Sequence, residues 1–356
     1  MGFGLDGDGG RRALMESCSL LVVNYRSAKL ALDAIGTAQA AYAGPLQVVV
    51  VDNSVDPAEA ELLCGVGKVI AADRNLGYSG AINAGRKWCD GKTLLVSNPD
   101  VRFAPSSIDR LIATGAAVAG PALFWDEGLQ WMLPPADLDN RSQLLDRVLA
   151  SRFPGWARTR DRRRARARTR FWSLTATSPM QALSGAVMAI RAAAFDAAGG
   201  FDERYPLYFE EHDFLRRVSG DIVYVPDARV RHLYNQSARG SPEAASFYAV
   251  SEARYLKRWN GRAGMMLKRL ERPMAARLEF APFPVEGIDM PEGDIVVEAS
   301  PLPTFETAAG RFPHSRKLLI PEDIWASYRG DVLYVRFVDK QSGATIAAFA
   351  KARMVV

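Results

Sequence analysis

CSLLVVNY (residues 18–25) is a near-continuous apolar run ending in two polar residues, and PLQVVVVDNS (45–54) repeats that plan one helix later. Runs without alternation suit strands covered on both faces, as in a parallel sheet. Between them SAKLALDAIGTAQAAY (27–42) has its apolar residues at helical period. PAEAELLCG (57–65) then reads as a helix, KVIAA (68–72) as a short strand, YSGAINAGRKWC (78–89) as a helix and KTLLVSNPD (92–100) as a strand. Strand and helix alternating in this way predict an α/β sheet with mainly parallel strands.

The rhythm changes from about residue 115 to 205. VAGPALFW (118–125) and QALSGAVMAIR (181–191) read as strands separated by an Arg-rich insertion, about 141–172. EEHDFLRRV (210–218) can form a helix, DIVYVP (221–226) a strand, and ARVRHLYNQS (228–237) a strand running into a loop. EAASFYAVSEARYLKRWNG (243–261) reads as a helix stopped by Gly261. Beyond Pro273, DIVVEA (294–299), DVLYVRFVD (331–339) and ATIAAFA (344–350) suggest a small β-rich appendage. The expected segments are a flexible start (1–16), a main α/β domain (17–272) and a β-rich C-terminal domain (273–356).

With 356 residues, 48% apolar and 24% charged, the chain has an ordinary globular composition and can bury a large core. The net charge of +5 is unevenly spread: eight arginines and one acid, Asp161, lie between Arg158 and Arg170. Cys18, Cys64 and Cys89 are widely spaced and odd in number, which fits a reducing compartment better than a disulfide framework. The Gly-rich start has no apolar core like that of a signal peptide, and no run approaches the ~18 apolar residues of a membrane span. The expectation is a cytoplasmic protein, soluble or held at a membrane surface only.

In open α/β sheets, ligands bind beyond the carboxyl ends of the strands. Three such ends are polar here: Asn24-Tyr25, Asp52-Asn53-Ser54 and Asn98-Pro99-Asp100. An acid placed like Asp52 can accept hydrogen bonds from a nucleobase or ribose, and one placed like Asp100 can ligate Mg2+ or Mn2+ beside a diphosphate. Asx residues also follow strands simply to make turns. Neither G-x-G-x-x-G nor a P-loop follows a strand, and Gly77, Gly80 and Gly85 have the wrong spacing for either. In YPLYFEEHDF (205–214), Glu210, Glu211 and Asp213 crowd between Phe209 and Phe214. That knot either complements a helix start or tunes a carboxylate for proton transfer.

Read in order, VVNY, VVVDNS, NLGYSGAINAG, VSNPD, LSGAVMAIR, GGFDERYPLYFEEHDFLRR and VRHLYNQS resemble a family 2 glycosyltransferase of the GT-A fold, in its bacterial rhamnosyltransferase-like branch. The resemblance covers about residues 17–260 and leaves out the C-terminal appendage. It implies a nucleotide-sugar-binding mixed sheet flanked by helices. It also implies an inverting, divalent-metal-dependent transferase moving rhamnose or another deoxyhexose to a glycan or lipid-linked acceptor. The alternatives are a UDP-hexose or galactofuranose transferase, and a non-catalytic glycan- or membrane-binding protein on a degenerate transferase fold.

Carried over residue by residue, the resemblance makes Asp52 the base-binding acid, with Asn24, Tyr25, Asn53 and Ser54 beside it at the donor. Asn75, Gly77, Tyr78 and Asn83 fall in the donor-site segment. Asn98 to Asp100 matches an N-P-D form of the D-x-D metal motif, with Asp100 as ligand and Asn98 a weaker contributor. His232 matches a histidine near the diphosphate or metal. Glu210-Glu211-His212-Asp213 aligns with the catalytic E-D-x-D segment, making Glu211 the base where relatives usually carry Asp; Glu210 and Asp213 stay open for that role. His212 is expected to face Arg216, away from the acids. Ahead of Ser237, Asn235 and Gln236 replace the usual glycine.

The arginine run fits an anionic membrane surface or acceptor, or a solvated loop, and fits nucleic acid least. Trp156, Phe171 and Trp172 flank it and suit either a headgroup layer or a core.

Overall fold

The computed structural model describes residues 16–233 and 242–353. The start of the chain and the stretch with Asn235, Gln236 and Ser237 lie outside the described residues. The chain forms two compact units. One takes in the chain to Ala122, Ala136–Leu138 and Thr175–Tyr255; the other takes in Leu123–Pro135, Asp139–Leu174 and everything from Leu256. This differs from the expected boundary after residue 272. The Arg-rich segment groups with the β-rich tail, whose sheet its helices cover.

In chain order the elements begin β1 (Cys18–Asn24), α1 (Ala28–Ala41), β2 (Leu46–Asp52), α2 (Pro57–Leu62), β3 (Lys68–Ala71), α3 (Gly77–Arg86), β4 (Thr93–Ser97), β5 (Val101–Phe103), α4 (Ser107–Ala113) and β6 (Val118–Phe124). Two helices follow, α5 (Arg141–Arg152) and α6 (Pro154–Trp172). Then come β7 (Ser178–Pro179), β8 (Val187–Arg191), α7 (Ala192–Ala197), α8 (Glu210–Leu215), β9 (Ile222–His232) and α9 (Pro242–Tyr255). A π-helical turn (Leu256–Asn260) leads into α10 (Gly261–Leu270). The rest is β10 (Ala281–Pro282), β11 (Ile288–Asp289), β12 (Ile295–Ser300), β13 (Ala309–Arg311), β14 (Lys317–Leu318), α11 (Glu322–Ser327), β15 (Val332–Asp339) and β16 (Thr345–Ala352).

The first unit is built on a mixed sheet ordered β3-β2-β1-β4-β8-β6-β9-β5, with β7 added beside β9. Its β1–β4 portion is parallel, and β8 pairs antiparallel with β4. Every residue of β1 is buried, which explains its unbroken apolar run. The register sets Asn24 beside Asp52, so two of the polar strand ends meet. Two sequence expectations change. The described parts of the segments 221–226 and 228–237 fall on one strand, β9 (Ile222–His232), that passes through Pro226, and Gly261 (φ +63°) opens α10 instead of ending the helical path.

In the second unit, the sheet β10-β16-β15-β12-β13 has two dressed faces. Strand alternation sends Ile295, Val297, Leu333, Val335 and Phe337 to one side, where they pack with Trp131, Ile324 and Tyr328. Val296 and Val338 face the other side and meet Ala165 and Trp172 of α6. Trp172 lies over Gly310, where an added Cβ would come within 2.1 Å of the indole. The arginine run is therefore no loop: it is α6, lying against a sheet. Asn140 caps α5 through a capping box with Gln143.

Glu298 shares its face with Val296 and pairs directly across the ladder with Arg336. Arg168 grips Glu298 with Nε (2.7 Å) and Nη2 (2.8 Å), and Arg336 adds a third bond at 2.8 Å. Arg336 in turn holds Asp161 through both terminal nitrogens (2.8 and 2.9 Å). Glu298 and Arg336 are fully buried and Arg168 nearly so. Burial pushes the Glu298 carboxyl up, but the two guanidiniums more than offset it and hold it below its ordinary range. Arg160 is also buried, paired with Asp146 at 3.0 Å and with Glu306. So two arginines expected to face a membrane or acceptor are structural.

Candidate active site

The polar strand ends of the first unit tie themselves into a frame. Asn24, fully buried, donates to Asp52 Oδ1 (3.0 Å) and Glu59 Oε2 (2.9 Å), and its own oxygen accepts from Ser27 N (3.1 Å). Ser54 N also donates to Asp52 Oδ1 (3.1 Å), and Arg26 N donates to the Ser54 hydroxyl (2.8 Å). Both bonds to Asp52 thus fall on one oxygen. Arg26 itself has φ +52°, a left-handed turn that follows Tyr25, whose ring carries the Arg26 guanidinium 5.5 Å from its centroid.

Asn53 fixes the loop before α3. It donates to Asn75 Oδ1 (2.7 Å) and accepts from Leu76 N (2.7 Å), while Asn75 Oδ1 also accepts from Gly77 N (2.9 Å). Gly77 has φ +70°, and a Cβ there would lie 3.0 Å from the Pro206 carbonyl. Tyr78 N donates to that carbonyl (3.3 Å), and Ser79 Oγ to the carbonyl of Tyr205 (3.2 Å). The donor-side loop is thereby docked on the segment that delivers the acids. Asn83, expected at the donor, uses its amide on Phe201 O (2.9 Å) and Glu203 Oε1 (3.0 Å) and accepts from Phe201 N (3.0 Å), clamping the GGFDE turn.

Asp100 follows β4 and is buried. The β5–β9 pairing sets Val101 beside His232, and His232 Nε2 lies 3.4 Å from Asp100 Oδ1. These two predicted metal-side residues do converge. Asn98 sits at the same bend, held by its backbone N to Ala186 O (2.8 Å). Among the described residues, no group of three or more His, Cys, Asp or Glu side chains is arranged to hold a metal. Two protein groups nevertheless fit a divalent ion that shares its shell with diphosphate oxygens and water.

The acids of α8 are sorted by their surroundings. Tyr208 and Phe209 both have positive φ (69° and 67°), a strained approach for non-glycine residues that sets the exit of Glu210 and Glu211. Asp213 is fully buried, accepts from Arg217 Nε (2.8 Å) and Tyr205 Oη (3.3 Å), and so is engaged in holding the loop. Arg217 extends the clamp to Gly200 O (2.8 Å). By contrast, one oxygen each of Glu210 and Glu211 is buried without a hydrogen bond among the described residues. Burial first, and the Glu211 charge second, push the Glu210 carboxyl well above its ordinary value. Glu211 lies against Gly185, where an added Cβ would meet its Cγ at 3.2 Å and Cδ at 3.3 Å. His212, expected to face away, has Nε2 3.8 Å from Glu211 Oε1 and packs edge-on to Phe209 and Tyr255.

One hydroxyl links these groups. Tyr78 Oη is buried without a hydrogen bond among the described residues. Its phenol is pushed well up by burial, then by Glu210, Glu211 and Asp100. Gly185, Tyr205 and Arg217 were not singled out as site residues, although each lies in a quoted motif and Asp213–Arg217 has the i,i+4 spacing of a helical ion pair.

The first unit is an α/β protein whose mixed sheet ends in polar residues with acids from α8 in the same unit. Residues 19–117 match the family model for Glycosyl transferase family 2. Over 238 residues the chain is 29% identical to the N-acetylglucosaminyl-diphospho-decaprenol L-rhamnosyltransferase of two Mycobacterium tuberculosis strains, covering 60% of this chain and 74% of the relative. Among solved structures, GalNAc-T7 with UDP, GalNAc and Mn2+ matches at TM-score 0.47 and 15% identity, over 70% of this chain and 49% of that one. TarS 1-349 of S. aureus with UDP matches at TM-score 0.42 and 15% identity, over 71% and 69%. The chain is thus similar to family 2 glycosyltransferases over residues 19–117, and to an L-rhamnosyltransferase over a longer stretch.

Proposed function

We propose that this chain moves rhamnose, or a related deoxyhexose, from a nucleoside diphosphate to a lipid-linked glycan with inversion at the anomeric carbon. The observation that supports the reading best is the docking of the loop at Gly77–Ser79 on the Tyr205 and Pro206 carbonyls, which brings the strand-end side of the sheet against the segment that bears Glu210 and Glu211. The relative's name, an L-rhamnosyltransferase acting with an N-acetylglucosaminyl-diphospho-decaprenol, supports the donor sugar and acceptor class.

Asp52, with one oxygen already held by Asn24 and Ser54, turns the other to the base or ribose of the donor. Tyr25 and the Asn53–Asn75–Gly77 loop line the same end. Glu211 takes the proton of the acceptor hydroxyl as that oxygen bonds to the anomeric carbon; the bond from carbon to diphosphate oxygen breaks, and the nucleoside diphosphate leaves with the electron pair. Glu211 is favoured over its neighbours because Asp213 is tied to Arg217 and because burial raises Glu210 and so disfavours its ionised form. Asp100 and His232 would hold a divalent ion, Mg2+ or Mn2+, that neutralises charge developing on the diphosphate. The reading places the reaction at the cytoplasmic face of a membrane, although no helix among the described residues is long and apolar enough to cross one.

Thermal protection by dTDP-, UDP- and GDP-sugars, with and without Mn2+, tests the donor; dTDP-rhamnose is expected to protect best. Glu211→Gln is expected to lower transfer by about 10²–10⁴-fold while keeping that protection. Undiminished transfer would refute the base. Protection by none of the donors would refute the transferase reading.

A further inference from the structure

Three helices of the second unit carry exposed apolar side chains together with exposed arginines. Helix α10 runs alongside α5: Arg141 Nε donates to Asn260 O (2.9 Å) where both begin, and Arg152 Nη2 donates to Leu270 O (3.1 Å) where both end. Met266 (62% exposed) and Leu270 (39%) stand one helical turn apart on α10. Leu145 (46%) and Arg152 stand two turns apart on α5. The elbow into α6 adds Phe153 (56%) and Trp156 (44%), and the Trp156 indole is fixed by Asp146 Oδ1 at 2.8 Å, beside Leu145. Scattered single exposures need no explanation, but these lie on segments that the Arg152–Leu270 and Trp156–Asp146 bonds tie together.

The charge on these helices says what kind of surface would cover the face. Their only acids are Asp146 and Asp161. Asp146 is paired with Arg160 and Arg163, and Asp161 with Arg336. Arg152, Arg158, Arg262 and Arg269 are exposed around the apolar groups. A second copy of this chain would set arginine against arginine in a two-fold contact. A nucleic-acid backbone would offer Met266 and Leu270 nothing to enter. An anionic bilayer satisfies both features, since headgroups meet the guanidiniums while tryptophan, phenylalanine and aliphatic groups enter the interface.

We infer that the α5–α6 elbow and the outer side of α10 form a docking surface for anionic phospholipid. The arginine run as a whole is not that surface, because Arg160 and Arg168 turn into the fold. The inference holds whichever sugar is transferred, so it stands apart from the reading of the active site.

Sedimentation of the full chain with phosphatidylglycerol-containing vesicles, against pure phosphatidylcholine, tests it. The chain is expected to bind the anionic vesicles preferentially. Phe153→Ser/Trp156→Ser/Met266→Ser/Leu270→Ser is expected to cut that binding by at least about tenfold, through lost apolar insertion. Arg262→Glu/Arg269→Glu is expected to cut it by about tenfold or more, through lost surface attraction. Unchanged thermal melting of both variants, expected at exposed positions, secures the comparison. Binding by both at the parental level, or equal parental binding to neutral vesicles, overturns the inference. So does a parental dimer that the serine variant turns into a monomer with no vesicle binding, or binding to a DNA duplex that the serine variant retains in full.

Discussion

Two glutamates lie at the centre of the two units, and both are almost wholly buried. Glu298 receives three hydrogen bonds from Arg168 and Arg336 and is held ionised. Glu210 has a buried oxygen without a hydrogen bond among the described residues, a neighbouring carboxylate and a raised carboxyl. The difference separates structure from chemistry. A buried charge that is fully partnered fixes one packing of helix on sheet. A buried acid left under-satisfied keeps a tension that a substrate or a proton can relieve, which is why such groups gather at reactive sites.

Breaking the satisfied cluster should have the larger effect on folding. Glu298→Ala leaves Arg168 with no carboxylate, only the Phe305 carbonyl, and Arg336 with Asp161 and Thr345, and is expected to cost about 3–5 kcal/mol in chemical denaturation. A loss below about 1 kcal/mol, the range of an exposed pair, would remove the distinction drawn here. The pH signature follows from the lowered carboxyl. The Glu298 contribution is fully present above the ordinary value of 4.5 and is lost as pH falls through its lower folded value.

Glu210 carries the opposite sign. Its proton is held more firmly in the folded chain, so stability falls as pH rises above 4.5 toward its raised folded value. Glu210→Gln removes the ionisation and keeps the shape. It is expected to stabilise the protein by about 1–3 kcal/mol at neutral pH and to remove the loss of stability expected of the parent as pH rises above 4.5. A destabilised variant would mean that Glu210 is ionised and needed as a charge.

The parallel half of the sheet was readable because local rules and packing agree there: apolar runs end in Asn24, Asp52 and Asp100, and the register brings the first two together. The arginine run was misread because charge density looks like solvation, and its explanation, Glu298, lies 130 residues away. Pro226 and Gly261 read as breaks because local propensity is weaker than the sheet and helix contacts that carry the chain past them. Choosing among Glu210, Glu211 and Asp213 needed their partners. Only Arg217 was visible from spacing alone.

The smallest expected effect probes how closely Glu211 is held. Gly185 shows no left-handed φ, so alanine there meets no backbone penalty of its own. Its methyl would sit 3.2–3.4 Å from Glu211 Cγ, Cδ and Cβ, closer than ordinary contact, so the carboxylate must give way by a few tenths of an ångström. Such a shift leaves Asp52, Asn53 and the donor loop untouched. Gly185→Ala is therefore expected to lower kcat about tenfold with donor KM unchanged, since misplacing a reacting group by ~1 Å costs about 10²-fold. Moving the proton acceptor without touching the donor separates its role from that of a cap on α8. If Gly185→Ala retains full kcat, the position of Glu211 does not limit the reaction, and Glu210 becomes the better candidate for the base.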